Sequence, residues 1–547
     1  MKRNSKLFGA YIITAILAVV LSLSLTGCGR AGKAARSADI AVLYTGDVHC
    51  AVDENIGYAG LAAFQNELET QGAQVLLVDT GDAIQGGPIG SLTEGSLPIE
   101  IMNRMGYCVM ALGNHEFDYG QEELHTLSEQ AIFPFLSLNF VDEVSKKPIY
   151  QPYTIVERDG IKIAFVGVTT PKTITSSRPT YFVDENGNYK YSFLQDESGK
   201  ALWDATQQIV DSAKEEGADY VIALAHLGID AAATPYLSTE LIANTSGIDV
   251  VLDGHSHSVV ECERVQNKEG KRILLSSTGT GLTHIGYLLI DQDGNLSTGL
   301  VSDYTQKDTD VAIYIDGLKT EFEQQLKQSV ATVKDDLVTD DPATSVRIVR
   351  SAETNLGNLC ADAIRTAAST DVAIMNGGGI RAGIATGEIT YGDVLNVFPF
   401  GNHLRTIEVT GQQLLDALEL SVSMLPEENG GFLQVSGLTF TFHTDIPSPI
   451  TQDDAGMFTG VDGNRRVQNV LVGGKPLELN KTYSLAGTDY TLRDGGDGYS
   501  MFADCPVLES DVELDFDALL NFLTDDYLEN TDLYAQPYGD GRIVAIP

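Results

Sequence analysis

The sequence predicts two α/β units in tandem, on three observations. The chain has 547 residues, more than one hydrophobic core accommodates. Its N-terminal half repeats apolar runs of strand length: Ile40 to Thr45, Val75 to Asp79, Val109 to Leu112, Ile161 to Val168, Tyr220 to Ala225, Val250 to Asp253, Ile273 to Ser276 and Tyr287 to Ile290. Helical patterns such as Gly60 to Gln71 and Trp203 to Gly217 fall between several of them. A polar helical stretch after Asp308 separates this series from a second one that starts near Arg350. Strand alternating with helix implies α/β layers. Near-continuous Val, Ile, Leu and Ala in the runs implies strands buried on both faces by covering helices.

The N-terminus stands outside that pattern. Lys2, Arg3 and Lys6 precede an apolar run from Leu7 to Leu25 and then Leu25-Thr26-Gly27-Cys28, an export signal. The ending resembles a bacterial lipobox. That resemblance implies removal of residues 1–27, lipid on Cys28, and a mature chain outside the cytoplasm, held to the cell membrane or envelope; an uncleaved anchor is the alternative. Residues 28–38 read as a tether. The net charge of −41 disfavours nucleic-acid polymers as partners. A small phosphorylated substrate stays open, because salt confines exposed charges to roughly 8 Å. Beyond Cys28, the five cysteines Cys50, Cys108, Cys262, Cys360 and Cys505 are scattered and form no CxxC pair, so neither a disulfide framework nor a zinc knuckle is indicated.

The strands end on residues that are not ordinary turn formers. Asp47 and His49 follow the first, Gly81-Asp82 the second, Gly113-Asn114-His115-Glu116 with Asp118 the third, and His226 and Gly254-His255-Ser256-His257 the later ones. Five of the nine histidines sit at these ends. Strands of an α/β sheet present their carboxyl ends along one edge, so the side chains can converge on a metal site. Singly each segment is a common turn; as a set in strand-end context they are not.

That set, in that order, resembles the binuclear metallophosphoesterases. The resemblance implies two divalent ions: Asp47, His49 and His257 would hold one, Asn114, His226 and His255 the other, and Asp82 would bridge. Mixed imidazole, carboxylate and amide donors favour Zn, Mn, Fe or Co over Mg or Ca. Such a pair activates water and clamps an in-line displacement at phosphorus. His115 would stabilise the phosphoryl oxygens and leaving group, with Asp118 orienting its ring. The local spacing agrees, since residues three apart meet on a helical turn. Other features are weaker. Asp184-Glu185-Asn186-Gly187-Asn188 reads as a hairpin turn rather than a calcium loop, His125 and His443 as solvated, and His284 as a structural histidine.

The stretch from Asp310 to about Val330 has few core-type residues and reads as a connector, which places a catalytic domain at 39–308, connector and linker at 309–342, and a second α/β domain at 343–547. Here Arg350 and Glu353-Thr354-Asn355-Leu356-Gly357-Asn358 lead into a helix. A strand, Asp371 to Met375, then delivers Asn376-Gly377-Gly378-Gly379-Ile380-Arg381. Two readings fit this loop: a tight turn, or a cradle in which glycines admit a ligand and a guanidinium takes phosphate. Phe398-Pro399-Phe400-Gly401-Asn402 and Gly495-Gly496-Asp497-Gly498-Tyr499 follow.

Together these motifs resemble the C-terminal, substrate-binding domain of the 5′-nucleotidase and UDP-sugar hydrolase family. The resemblance implies that Arg350 and Arg381 hold phosphate, Asn376 and Phe400 contact the base, and Asp497 binds ribose hydroxyls. The sequence departs at the second stacking aromatic: direct spacing from Asp497 gives Thr491, with Tyr490 one residue off. Either Tyr490 stacks or base affinity is reduced. The expected activity is hydrolysis of 5′-nucleotides to nucleoside and phosphate, with 2′,3′-cyclic nucleotide phosphodiesterase or UDP-sugar hydrolase as the near alternative. A non-catalytic ligand-binding surface lipoprotein is the alternative from another class.

Overall fold

The computed structural model describes residues 38–547 except 185–187, 231–232, 511, 526 and 528–530. The export signal, Cys28 and the middle of the Asp184–Asn188 turn lie outside the described residues.

The N-terminal half holds two six-stranded sheets. In the first the strands run Leu296–Val301, Ile285–Ile290, Ile40–Thr45, Gln74–Asp79, Val109–Ala111 and Phe135–Leu136. In the second they run Val259–Gln266, Arg272–Thr278, Val250–Asp253, Tyr220–His226, Ile161–Thr169 and Tyr153–Arg158. One core, including Val42, Leu76, Phe165, Ile222 and Leu252, draws on both sheets and lies between them. The outer faces carry helices, Gly57–Thr70 and Ser96–Met105 on the first sheet and Lys200–Glu215 and Ser238–Asn244 on the second. The expected double burial is therefore met in the central strands in an unexpected way: each is covered by helices on one face and by a second sheet on the other, while edge strands such as Val259–Gln266 stay largely exposed. Apolar runs record that both faces are buried, and carry no record of what buries them.

Within each sheet the central strands are parallel: Ile40–Thr45 with Gln74–Asp79 and Val109–Ala111, and Ile161–Thr169 with Tyr220–His226 and Val250–Asp253. Their carboxyl ends consequently share one edge, and Tyr44 Oη donates to Ser276 Oγ at 2.7 Å to tie the two sheets together.

The helix Thr309–Leu326 departs from its reading as a polar connector. Ile315 is buried in the N-terminal core, and Val311, Tyr314, Leu318 and Phe322 pack against that core. The helix touches Gly57–Thr70 and Ser96–Met105 on one side and Tyr391–Val397 on the other. Its apolar residues are diluted by Gln, Lys and Glu, which hid the stripe. Beyond it, Ser329–Val333 pairs with Gly387–Thr390, and Val333 and Leu337 join the C-terminal core. The chain thus enters the second unit at about residue 329, ahead of 343.

That unit is built on a five-stranded sheet in the order Leu433–Ser436, Val372–Asn376, Thr482–Thr488, Leu404–Thr410 and Val507–Glu509. The helices Asn355–Ala368 and Asp515–Asp525 cover one face and Gly411–Ser421 the other. Caps fix where helices begin. The Thr354 side chain accepts from Gly357 N, and Thr410 with Gln413 forms a capping box.

Candidate active site

The residues expected as metal ligands leave the strand ends in a rare backbone conformation. Asp47, His49, Asp82, His255 and His257 all have φ between 48° and 78°, a left-handed region that costs a non-glycine residue on the order of 1 kcal/mol. Five such outliers at the carboxyl ends of strands from the two sheets are held by their surroundings. Glu116 is the main clamp: its buried carboxylate accepts from Asp82 N at 2.8 Å, Ala83 N at 2.9 Å and Gly113 N at 2.7 Å, locking two loops together. Burial and the Asp82 charge raise its pKa to about 7. The glycines of these loops are steric requirements. A Cβ on Gly81 would overlap the backbone of Gly113, one on Gly113 would overlap Asp82, and one on Gly254 would lie 2.9 Å from Asp47 Oδ2.

Two clusters result, Asp47 with His49 and His257, and Asp82 with His226 and His255, each with its donor atoms within 4.8 Å of one another. Asn114 Oδ1 lies 2.8 Å from His255 Nδ1, beside the second cluster. His49 Nδ1 is 2.8 Å from the Gln85 carbonyl and His226 Nδ1 is 2.8 Å from the Thr80 carbonyl. A carbonyl only accepts, so both Nδ1 atoms carry a proton and Nε2 is the atom each ring offers to a cation. His226 Nε2 approaches Asp82 Oδ2 to 2.9 Å yet makes no aligned hydrogen bond, and His49 Nε2 faces His257 Nε2 at 3.0 Å. Ligand-type atoms gathered this closely, with His226 Nε2 left without a hydrogen bond, fit a shared cation. Burial holds His49, His257 and His255 far below the ordinary histidine range, the last at about 3, so they are neutral donors at pH 7. At His226 the Asp82 carboxylate outweighs burial and raises the pKa to about 10, so an entering cation there competes with a proton.

His115 and Asp118 form the expected pair, Nδ1 to Oδ2 at 2.6 Å across a single 3-10 turn. Burial opposes protonation of His115, but Asp118 and Asp82 outweigh it and raise its pKa. Asp118 in turn accepts from Ser177 Oγ at 2.9 Å, a support that sequence reasoning missed.

A cavity of about 430 Å³ between the two halves brings the expected substrate residues to this centre. The Phe400 ring lies 5.7 Å from the His115 ring, and the Arg381 guanidinium lies 5.7 Å from the Phe400 ring. Arg350 reaches the cavity with its buried Nε unbonded. Asn376 Nδ2 donates to Asp497 Oδ2 at 2.9 Å, and burial raises the Asp497 pKa to about 6. Tyr490, on the turn Asp489–Leu492, lines the cavity and donates from Oη to the Thr175 carbonyl at 2.9 Å. Thr491 is buried and bonded to Thr488, turned away from that role.

The glycine loop answers to packing as much as to any ligand. A Cβ on Gly377 would overlap the Val349 carbonyl, and Gly378 N donates to the Gly430 carbonyl at 2.8 Å. Arg178 was also missed. It crosses between the halves, with Nη1 3.1 Å from Asp489 Oδ2 and 3.5 Å from Asp494 Oδ2, and Nη2 2.8 Å from Asn402 Oδ1. No motif marks Arg178, because its partners lie more than two hundred residues away. Among the remaining histidines, His125 is exposed, His443 and His284 are partly exposed, and His284 Nδ1 lies 3.2 Å from Thr283 Oγ1. All five described cysteines are free thiols.

Residues 40–259 match the calcineurin-like phosphoesterase family, and residues 329–504 match the 5′-nucleotidase C-terminal domain. A 5′-nucleotidase of Vibrio cholerae serotype O1 is 29% identical over 568 residues, covering 94% of this chain and 96% of its own. Protein UshA of Yersinia enterocolitica serotype O:8 is 26% identical over 569 residues, covering 94% and 96%. The crystal structure of a 5′-nucleotidase precursor from Thermus thermophilus superposes with a TM-score of 0.77 at 27% identity, covering 93% of this chain and 99% of that one.

Proposed function

We propose, from the premise that the chain belongs to the 5′-nucleotidase family and is a metal-dependent nucleotide phosphoester hydrolase, that its substrates are 5′-nucleotides and its products nucleoside and inorganic phosphate. The observation that carries this choice is the 5.7 Å approach of Phe400 to His115. A base stacked on that ring has its 5′-phosphate within reach of the histidine and of Arg350 and Arg381 in the same cavity. This supports a nucleoside monophosphate held by both halves at once.

Asp47, His49 and His257, and Asn114, His226 and His255, together with Asp82, would hold divalent ions, which when bound would activate water and neutralise phosphoryl charge; Zn, Mn, Fe or Co suit these donors. The protein's own groups do the rest. Asp118 accepts the Nδ1 proton of His115 and fixes its ring, leaving Nε2–H to donate toward the departing 5′-oxygen as the P–O bond breaks. Arg350 and Arg381 offer fixed donors to the phosphoryl oxygens. Phe400 and Tyr490 sandwich the base, and Asp497 accepts from the ribose hydroxyls while Asn376 orients it.

The experiment sets 5′-AMP, a 2′,3′-cyclic nucleotide, a UDP-sugar and a simple aryl phosphate side by side. Phosphate release should be highest from 5′-AMP, abolished by chelator and restored by Mn²⁺; a faster cyclic nucleotide or UDP-sugar would overturn the choice. The domain at 39–308, the connector and the substrate domain to 547 then divide the labour, the first cleaving and the last selecting. The export signal and Cys28 support a lipid-anchored enzyme outside the cytoplasm. Cys28→Ser should move it from the membrane fraction to the soluble one; unchanged fractionation would refute the anchor.

A further inference from the structure

Lys172 has no part in the site as so far described. It stands just after the Ile161–Thr169 strand, whose last residue pairs with His226, and it opens the short helical turn Thr173–Ser176. Its side chain lines the cavity between the halves together with His255, His115 and Arg381. It lies close enough to His255 for its charge to depress that imidazole.

The ammonium of Lys172 has no hydrogen bond and no ion pair to any described residue. In a chain with 76 acidic and 35 basic residues this is an unusual omission. Two other cations at the cavity are matched, Arg178 by Asp489 and Asp494, and Arg347 by Glu428, whereas Arg350 and Arg381, like Lys172, have no ion pair among the described residues. Three of the carboxylates that line the cavity are committed elsewhere, Asp118 to His115, Asp497 to Asn376, and Asp196 to the N–H groups of Ser198 and Ala201. Burial without a partner pushes the Lys172 pKa down to about 8. A partly buried, uncompensated charge facing a cavity is costly and fits an anion that arrives from outside.

Arg350 and Arg381 bring positive charge to the cavity from the C-terminal half. We propose that Lys172 is their counterpart from the N-terminal half, a substrate-binding residue that takes a phosphoryl oxygen of the ligand. The ligand class is a phosphate dianion. The oxygen belongs either to the phosphoryl group being released, hence also to inorganic phosphate, or to a neighbouring phosphoryl group of a nucleoside diphosphate. The inference rests on the reading of the cavity as a phosphoester site.

The test uses the Mn²⁺-loaded full chain and the variants Lys172→Met and Lys172→Arg. Inorganic phosphate binding is read by calorimetry, and kcat/KM is measured for 5′-AMP and 5′-ADP. A hydrogen bond from a charged donor is worth about tenfold or more in affinity. If Lys172 holds the released group, Lys172→Met weakens inorganic phosphate about tenfold and Lys172→Arg restores most of it. If it holds a neighbouring group, phosphate binding stays and the ADP to AMP ratio of kcat/KM falls about tenfold. Lys172→Met should melt at the same temperature as the parent or higher, since no internal partner is lost. Binding and the substrate ratio both unchanged within twofold, or a lowered melting temperature, overturn the assignment. Failure of the parent protein to bind inorganic phosphate and to cleave 5′-AMP instead overturns the phosphoester reading itself.

Discussion

Arg178→Ala should loosen the grip of one half on the other and cost nucleotide turnover without touching the chemistry. The side chain donates to Asp489 at 3.1 Å and to Asn402 at 2.8 Å, with Asp494 at 3.5 Å. Hydrogen bonds involving a charged group contribute about 1.5–3 kcal/mol each. Arg493, 3.0 Å from Asp489, keeps the two carboxylates compensated after the change. The net loss is then about 2–3 kcal/mol rather than the ~3–5 kcal/mol of an orphaned buried charge. On an equilibrium between joined and separated halves that is a shift of roughly 30- to 150-fold. Tyr490→Phe removes the other described side-chain link of this segment, Oη to the Thr175 carbonyl at 2.9 Å, for about 1 kcal/mol. The assay pairs kcat/KM for 5′-AMP and for a small aryl phosphate with an energy-transfer distance between labels on the two halves. Nucleotide kcat/KM should fall at least tenfold, the aryl phosphate by about threefold or less, and the distance distribution should broaden. Equal losses on both substrates, or an unchanged distance distribution, would refute the reasoning.

Three further outcomes follow from the site. His115→Ala should lower kcat by about 10²- to 10⁴-fold, as expected for loss of a positioned proton donor, while metal content by elemental analysis stays at the parent level; lost metal would place His115 among the ligands instead. Gly113→Ala puts a methyl into Asp82 and should deplete bound metal and lower the melting temperature, so full metal retention would contradict the loop crossing. Asp497, raised from 3.8 to about 6, is a charged acceptor at pH 7 and loses that charge as pH falls through 6. KM for 5′-AMP should therefore rise between pH 7 and 5, and Asp497→Asn should flatten the profile; a KM that falls with acidity would reverse the sign and dismiss the role.

That the strand-end segments converge was legible because each follows an apolar run, and parallel strands leave few places for their ends to go. Which of Asp47, Asp82, Asn114, His226 and His255 would hold which ion came from the family resemblance and not from strand context. Other parts of the site depend on contacts that local pattern does not encode. Glu116 sat inside a quoted motif, yet its task is to accept three N–H groups from two loops. Ser177 and Arg178 reach across 59 and 311 residues to Asp118 and Asp489. Tyr490 could not be chosen over Thr491 by counting back from Asp497, because the turn Asp489–Leu492 decides which of the two faces the cavity. Ile315 shows the same limit in the fold: an apolar stripe interrupted by Asp, Lys, Glu and Gln is ambiguous until its neighbours are in place.

The helix Thr309–Leu326 has a mechanical consequence. Its flank is fastened to the N-terminal core by Ile315, and a Cβ on Gly392 would already lie 3.1 Å from the Leu326 carbonyl at its far end. A rotation of the C-terminal half about this joint would pivot near Leu326 and Gly392, as a lever does about a pinned end. Residues beside that fulcrum travel least, and the Arg178 contacts with Asp489 and Asn402 become the latch between the halves.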